Sequence, residues 1–366
     1  MNSQLLRVVH LVDPLGGSEH LWGKERVIAL MLRAQRQAGD VAPELATFGP
    51  SLLGERMRAE GFAVSELARH TSAVPIGALR SLARRLKDRP ADIVHTHGYK
   101  ANVAARAMRP FLFPRTALVS TSHGWVGKHG KLPLYYALDR LTAGASDAVT
   151  VPDARMAARL MRGSNGVFVA NAIEPRPLPS AGERHAARAG LGLSEDAFVA
   201  GTAGRLAEEK GIDEYLAAAR ATPSVVWAMA GAGPYEDEIR AVPEIHFAGY
   251  QADVGAYLAA LDVYVQASRD EGLALALLEA MRAGKPIVAT AVGATTFAVR
   301  DGREALIVPP HDAARLAAAV ERLRNDADLR ARLGQAARER FEAAFEVDVQ
   351  QRAFLAVYRA VLDRRR

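Results

Sequence analysis

Four charged residues in the second half of the chain have the types and spacing to work on one ligand. Arg205 and Lys210 lie in the run GRLAEEKG (204–211), and Glu271 and Glu279 stand eight positions apart in SRDEGLALALLEAMRAGKP (268–286). Two fixed cations beside the amides that open a helix bind a diphosphate. Arg presents a planar fork and Lys a point charge, and both oppose negative charge growing on a departing phosphate. A loop carboxylate and a second one two turns into a helix can each accept hydrogen bonds from paired hydroxyls, as a sugar and a ribose require. No polar residue separates Leu273 from Leu278, so Glu279 is expected to be at least partly covered and to need partners. The same residues also admit a plainer reading, with Arg205 and Lys210 as surface cations paired to Glu208 and Glu209, Glu271 as a helix cap and Glu279 facing solvent. A second glycine turn, GAGPYEDE (231–238), places Pro234 where the first turn of the next helix is expected.

The elements that must position these residues follow from alternation. Short branched-apolar runs (5–12, 41–48, 92–97, 117–122, 147–152, 167–170) alternate with Ala, Leu and Arg-rich stretches, the pattern of a parallel sheet flanked by helices. EPRPLPSAGE (174–183) interrupts it with three prolines and reads as a loop of low order. The alternation then restarts: 198–204, 225–231, 245–249, 262–268, 286–290 and 304–310 as strands, with helices between them at 211–221, 234–240, 253–260 and 273–283 and a last one at 312–324. GRLAEEKG follows the first of these strands, so its cations sit at a strand's carboxyl end, where ligands gather in doubly wound sheets. Residues 327–363 are nearly all helix formers with an expected break near Phe345.

Composition narrows the classes. At 366 residues with 49% hydrophobic and 24% charged residues, the chain has material for two buried cores. It contains no cysteine, which removes disulfides, thiolate nucleophiles and sulfur-ligated metal sites and fits a reducing, cytoplasmic setting. No long apolar run suggests a leader or a spanning helix. Residues 1–172 carry 23 Lys and Arg against 13 Asp and Glu, whereas the rest carries 24 against 28, within a net charge of +6. A basic first half suits an anionic partner or is an Arg-rich surface alone. No aromatic platforms interleave with the basic residues, so nucleic acid is not the expected partner. The first strand of neither half carries GxGxxG, and no GxxxxGK[ST] occurs, which disfavours dehydrogenases and NTPases.

With Arg205, Lys210, Glu271 and Glu279 assembled, the sequence closely resembles the family-four retaining glycosyltransferases of GT-B fold over nearly its whole length. The second half is the specific part: G-R-L-x-x-E-K-G, G-x-G-P-x-x-x-E, FAGY (247–250) with Asp253 after it, the E-x7-E pair and GKPIVAT stand in family order. The resemblance implies two doubly wound, Rossmann-like α/β domains facing a central cleft: an acceptor-binding domain over 1–172, a nucleotide-sugar-binding domain over 173–347, and a helix over 348–366 crossing back to the first. It implies transfer of a hexose or N-acetylhexosamine from a nucleotide diphosphate sugar, UDP before GDP, to a glycan, lipid-linked or small-molecule acceptor. The anomeric configuration is retained, with no metal and no tightly bound cofactor; bacterial surface polysaccharide or lipopolysaccharide assembly is the usual setting. Arg205 and Lys210 would hold the diphosphate and Glu279 the ribose. Glu271 would face the hexose together with the amides of Gly272 and Leu273. Tyr250 would lie at the nucleobase and Gly293 near the donor, with the loop glycines Gly16 and Gly17 beside the reacting phosphate. His123 in STSHG (120–124) would orient the acceptor and touch the sugar, with His97 and Lys100 as weaker candidates.

Departures from the family pattern mark this chain. SEHLWGK (18–24) intervenes before Glu25 and Arg26, so that Trp22 could meet a sugar or lipid and Lys24 a phosphate. The usual E-G-F-G-x-P becomes Glu271-Gly272-Leu273-Ala274-Leu275-Ala276, and Ala172 follows Asn171 where glycine is common. Two other functions compete: a sugar-nucleotide epimerase of the same fold, and a non-catalytic nucleotide-sugar binder. A phosphorylase would need a cofactor lysine that the sequence does not supply. Arg80, Arg84, Arg85, Lys87 and Arg89, with the apolar FLFP (111–114), could rest on an anionic membrane at the inner face of the cell, or FLFP could be buried at a domain edge.

Overall fold

The computed structural model describes residues 5–14, 20–67, 75–124, 132–160 and 165–366. The alternation resolves into two α/β units, one taking Met1–Ala172 and Val347–Arg366, the other Ile173–Glu346. Seven strands form the first sheet: β1 (Leu6–Val12), β2 (Val41–Phe48), β3 (Val64–Leu67), β4 (Ile93–His97), β5 (Ala117–Thr121), β6 (Ala148–Val151) and β7 (Gly166–Phe168). All pair in parallel, in the order β3-β2-β1-β4-β5-β6-β7. Six more form the second: β8 (Val199–Arg205), β9 (Val226–Ala232), β10 (Ile245–Gly249), β11 (Val263–Gln266), β12 (Ile287–Thr290) and β13 (Ala305–Val308), in the order β10-β9-β8-β11-β12-β13.

In each sheet the first and fourth strands lie side by side and the chain winds outward from them in opposite directions. Loops leaving β1 and β4, or β8 and β11, therefore diverge and leave a crevice at the strands' carboxyl ends. Parallel strands covered on both faces must be apolar on both sides, and Val8, Val9, Leu11 and Val12 of β1 are all buried. Polar residues are buried on strands of both sheets, Gln266 and Thr290 among them, and the first unit gathers His10, His95, Thr96, His97, Ser120 and Thr121 on three adjacent strands.

The C-terminal helix, Val347–Asp363, belongs to the first unit. Phe354, Val357, Tyr358 and Val361, spaced three and four apart, form one apolar face against Val8, Ile93 and Val119. Because strand side chains alternate, that sheet face is also the one bearing His10, His95 and His97. Each large side chain so buried contributes roughly 1.5–3 kcal/mol, enough to hold a helix whose own propensity would not.

Two local expectations fail. Residues 174–183 are not a loop throughout: helix Ala181–Gly190 begins inside them, capped by the reciprocal Ser180 and Glu183 hydrogen bonds of an S-x-x-E box. The Pro-rich residues before it are pinned by Arg176 to Asp253 at 2.8 Å and by Arg338 to the Arg176 carbonyl at 2.8 Å. Pro234 is not in a first helical turn either, since helix Glu236–Arg240 starts two residues later with Tyr235 as its cap.

Candidate functional site

In the second unit three loops are tied together at the carboxyl ends of β8, β11 and β12. β8 ends at Arg205, and a 3-10 turn, Glu208–Lys210, leads to Gly211. Gly211 has φ +65°, and a Cβ there would lie 2.1 Å from the Ala267 carbonyl oxygen. Only glycine lets this turn approach β11 so closely. The Arg269 amide donates to the Glu209 carbonyl at 2.8 Å, and the Arg269 guanidinium bonds Glu214 at 2.9 and 3.0 Å and Asp213 at 2.7 Å on helix Ile212–Ala221. Those bonds, Glu214 first, push the Arg269 pKa up from an already high value.

Held this way, Lys210 Nζ donates to Glu271 Oε1, which also accepts from Ser268 Oγ at 2.9 Å. Glu271 is 9% exposed and Lys210 27%. Gly293, after β12, completes the arrangement: its φ is +48°, and a Cβ would lie 1.7 Å from the Glu271 carbonyl oxygen. The next amide, Ala294 N, donates to the Gly272 carbonyl at 3.2 Å. Glu279, on helix Leu275–Arg282, is 4% exposed. Tyr264 of β11 is pushed up by burial first and then by the charges of Glu271 and Glu279, so its phenol lies within electrostatic reach of both carboxylates. Lys210, the Glu271 carboxylate and the two close glycine approaches thus share one crevice, with Glu279 buried on the helix that follows.

The plainer readings divide. Glu271 does not cap helix Leu275–Arg282, whose N-cap is Ala274, and Glu279 does not face solvent. Arg205, however, is half exposed and paired to Glu209. Leu273 is buried, which leaves its backbone rather than its side chain for a ligand. Tyr250 follows β10, the edge strand two places from β8, and is 40% exposed. Sequence reasoning missed Arg269, whose signal was present as a cation inside the loop that carries Glu271.

In the first unit Gly16 and Gly17 lie outside the described residues. His123, just past β5, is half-buried, and its Nε2 meets Nδ1 of His97 at 3.1 Å. His97 Nε2 meets His10 Nδ1 at 2.9 Å, and His10 Nε2 meets Gln35 Oε1 at 2.8 Å. His95 bonds the Tyr358 hydroxyl through Nδ1 and Thr121 Oγ1 through Nε2, both at 2.7 Å. Burial pushes His10 down to about 4. Burial and then the Lys24 cation push His123 down to about 3. His95 and His97 are lowered well below 6.5 by burial and by neighbouring rings. All four rings are therefore neutral near pH 7. Lys24 donates to the Asp13 carbonyl at 2.6 Å, and Lys100 pairs with the Asp13 carboxylate at 3.1 Å.

His10, His95 and His97 bring ring nitrogens close enough together to suggest a metal. All six nitrogens already have protein partners, however, so the trio is satisfied as a hydrogen-bond network. His10, His95, Gln35 and Tyr358 were missed in the sequence. The available signal was the two-residue spacing of His95 and His97, which puts both on one strand face.

On the surface, FLFP splits. Phe111 is 79% exposed while Phe113 is buried in the core. Arg85 and Arg89 pair with Glu44 at 2.9 and 3.2 Å, which leaves Arg80, Arg84 and Lys87 on the exposed side of helix Ile76–Asp88. No helix among the described residues is long and apolar enough to cross a membrane.

Comparison with known proteins agrees with this layout. The family described as "Glycosyl transferases group 1" matches residues 183–340, and the "Glycosyl transferase 4-like domain" matches 23–173. A lipopolysaccharide core biosynthesis glycosyltransferase, LpsE of Rhizobium meliloti, is 32% identical over 175 residues, covering 46% of this chain and 52% of the relative. A D-inositol 3-phosphate glycosyltransferase of Mycobacterium tuberculosis is 34% identical over 197 residues, covering 50% and 41%. The chain thus spans about half the length of the curated relatives it matches. In fold it is similar to Anabaena Alr3699/HepE, solved in complex with UDP, with TM-score 0.83, 17% identity and 97% and 100% coverage. It is also similar to sucrose-phosphate synthase from Thermosynechococcus elongatus, with TM-score 0.79, 20% identity and 98% and 100% coverage.

Proposed function

The chain belongs to the family-four type glycosyltransferases of GT-B fold, and from that premise we propose that it transfers a hexose or N-acetylhexosamine from a nucleotide diphosphate sugar to an acceptor hydroxyl with retention of configuration. The observation that carries this reading is the knot at β8, β11 and β12, where Gly211 and Gly293 bring Lys210 onto Glu271. UDP is preferred over GDP because UDP is what the HepE structure holds. A glycan or lipid-linked acceptor is preferred over a small molecule because LpsE acts in lipopolysaccharide core biosynthesis.

Without donor, the cations of the knot are neutralised by carboxylates, Lys210 by Glu271 and Arg205 by Glu209. A diphosphate takes over both cations and frees Glu271 to accept hydrogen bonds from the hexose, while Glu279 accepts them from the ribose. The bond from the anomeric carbon to the phosphate oxygen breaks as the acceptor oxygen bonds the same face of that carbon. The acceptor's proton passes to the departing phosphate. Lys210 and Arg205 stabilise the charge developing there, so the main contribution is electrostatic and no protein base is needed. His123 orients a hydroxyl of the acceptor or sugar. No resident metal or cofactor enters this scheme.

We extend the proposal to the setting: Arg80, Arg84, Lys87 and the exposed Phe111 would give the first unit a weak peripheral contact with an anionic bilayer on the cytoplasmic side.

A panel of nucleotide sugars, followed for binding and for slow hydrolysis without acceptor, tests the reading. A transferase hydrolyses one of them slowly with release of the nucleoside diphosphate. Binding without any hydrolysis would reduce the protein to a binder, and conversion of one sugar nucleotide to its epimer would make it an epimerase.

A further inference from the structure

The buried histidines form a chain with a direction. Gln35 lies on helix Gly23–Ala38 beneath the first sheet and is fully buried. Its Nε2 donates to the Tyr358 oxygen at 3.1 Å, so the amide carbonyl is the end that faces His10. A carbonyl can only accept, which puts a proton on His10 Nε2. A neutral imidazole carries one proton, and its other nitrogen must accept. His10 Nδ1 therefore accepts from His97 Nε2–H, and His97 Nδ1 from His123 Nε2–H. The second branch runs the same way: Tyr358 gives its single proton to His95 Nδ1, and His95 Nε2–H donates to Thr121 Oγ1, which lies 2.5 Å from Thr150 Oγ1. Every ring nitrogen in both branches except His123 Nδ1 is accounted for, and turning the Gln35 amide over would reverse every proton at once.

We infer that Gln35, His10 and His97 are positioning residues that fix His123 as its Nε2–H tautomer and so present a bare Nδ1 as an acceptor for a substrate hydroxyl. The role of that hydroxyl rests on the transferase reading above; the tautomer does not. A ring so reluctant to take a proton orients a hydroxyl rather than deprotonating it, consistent with proton transfer to the departing phosphate.

The test uses the full chain labelled with 15N-histidine, with the His123 signals assigned by their loss in His123→Asn. The wild type is expected to show a proton coupled to Nε2 of His123 and a bare Nδ1. Tyr358→Phe keeps the ring but frees the Gln35 amide to turn, and Gln35→Met removes the acceptor. Both should give mixed tautomers at His123 and lower donor hydrolysis about five- to tenfold, the scale of one neutral hydrogen bond. Gln35→Glu keeps an acceptor toward His10 and should restore the Nε2–H form.

A wild-type His123 protonated on Nδ1, or a tautomer indifferent to Tyr358→Phe, overturns the inference. Mixed tautomers with unchanged hydrolysis leave the chain of protons standing and remove His123 from the reaction instead. Loss of the Nε2 coupling of His10 and His97 on adding Zn2+ would replace the relay with a metal site.

Discussion

The two units wind outward from the same central strand pairing, the first with one strand more, and each has its own crevice at the strand ends, yet the two crevices hold opposite chemistry. In the second, the crevice holds charges: Lys210 against Glu271, Arg205 against Glu209, and Arg269 clamped to Asp213 and Glu214. In the first, the residues beneath it are neutral rings joined by shared protons. A charged site can be assembled from loops, because a cation and an anion find each other over several ångströms and loop backbones need only be brought near. A proton chain cannot, since each link must fall within hydrogen-bond distance and direction. It is therefore built into strands and helices, where register fixes spacing: His10 lies opposite His95 across the β1–β4 ladder.

Acid should separate the units most. The folded first unit holds His10 at about 4 and His123 at about 3, against an ordinary 6.5. In the unfolded chain the same rings bind protons as pH falls below about 6.5. Protons then favour the unfolded state, so stability that is complete above pH 6.5 is lost progressively down to about 4 for His10 and about 3 for His123, at up to about 1.4 kcal/mol per ring for each pH unit. In the second unit burial raises and the Arg269 bonds lower Glu214, with the net result below 4.5; burial and Arg300 act alike on Glu304. Those contributions survive to lower pH. Hydrogen exchange between pH 7 and 5 should show β1 and β4 losing protection before β8 and β11. Equal loss in both sheets would break the comparison.

Charge removal should act in the reverse sense, on turnover more than on the fold. Lys210→Ala is expected to lower donor hydrolysis by about two orders of magnitude or more, as removal of one preorganised stabilising group does, well beyond the loss of stability from leaving the 9% exposed Glu271 without its cation. Near-normal turnover would remove Lys210 from the reaction.

Gly293→Ala probes the backbone approach that supports this charged site. The left-handed conformation alone costs a non-glycine residue about 1–2 kcal/mol, and the added carbon would meet the Glu271 carbonyl oxygen at 1.7 Å. Denaturant midpoints should fall accordingly, and donor affinity should fall with them as Glu271 shifts. Unchanged affinity would show that the Glu271 loop does not need this contact.

The contrast also explains what could be read from the sequence. The second site was legible because its parts sit in short contiguous runs: GRLAEEKG carries both cations and the glycine that allows the turn, and the two acids are eight residues apart. Most strand positions were legible as well, since branched-apolar runs alternate with Ala, Leu and Arg-rich helical stretches, but the short edge strand β3 was not read. The first site was legible only at His123 and, weakly, at His97, Lys100 and Lys24. Gln35 and Tyr358 come from helices more than 300 residues apart in sequence, and a glutamine or tyrosine on an otherwise apolar helix face resembles ordinary core until the facing strand is known. The capped helix Ala181–Gly190 was hidden by the prolines before it, although Ser180 and Glu183 had the capping spacing.

The smallest expected effect concerns the surfaces rather than the crevices. The first unit's excess of basic residues leaves Arg80, Arg84 and Lys87 exposed on one helix, while Phe111 is 79% exposed on helix Tyr99–Leu112, which packs beside it. A cation near an anionic bilayer contributes about 1 kcal/mol, and salt at physiological strength screens it within roughly 8 Å. Three such cations give weak, salt-sensitive binding to vesicles containing phosphatidylglycerol and none to neutral ones. Replacing the three with glutamine should abolish sedimentation with anionic vesicles while leaving donor hydrolysis unchanged. Phe111→Ser should weaken sedimentation less, because one ring inserts little area. Binding that is indifferent to salt and to lipid charge would locate any membrane contact away from this helix and confine the units' difference to their crevices.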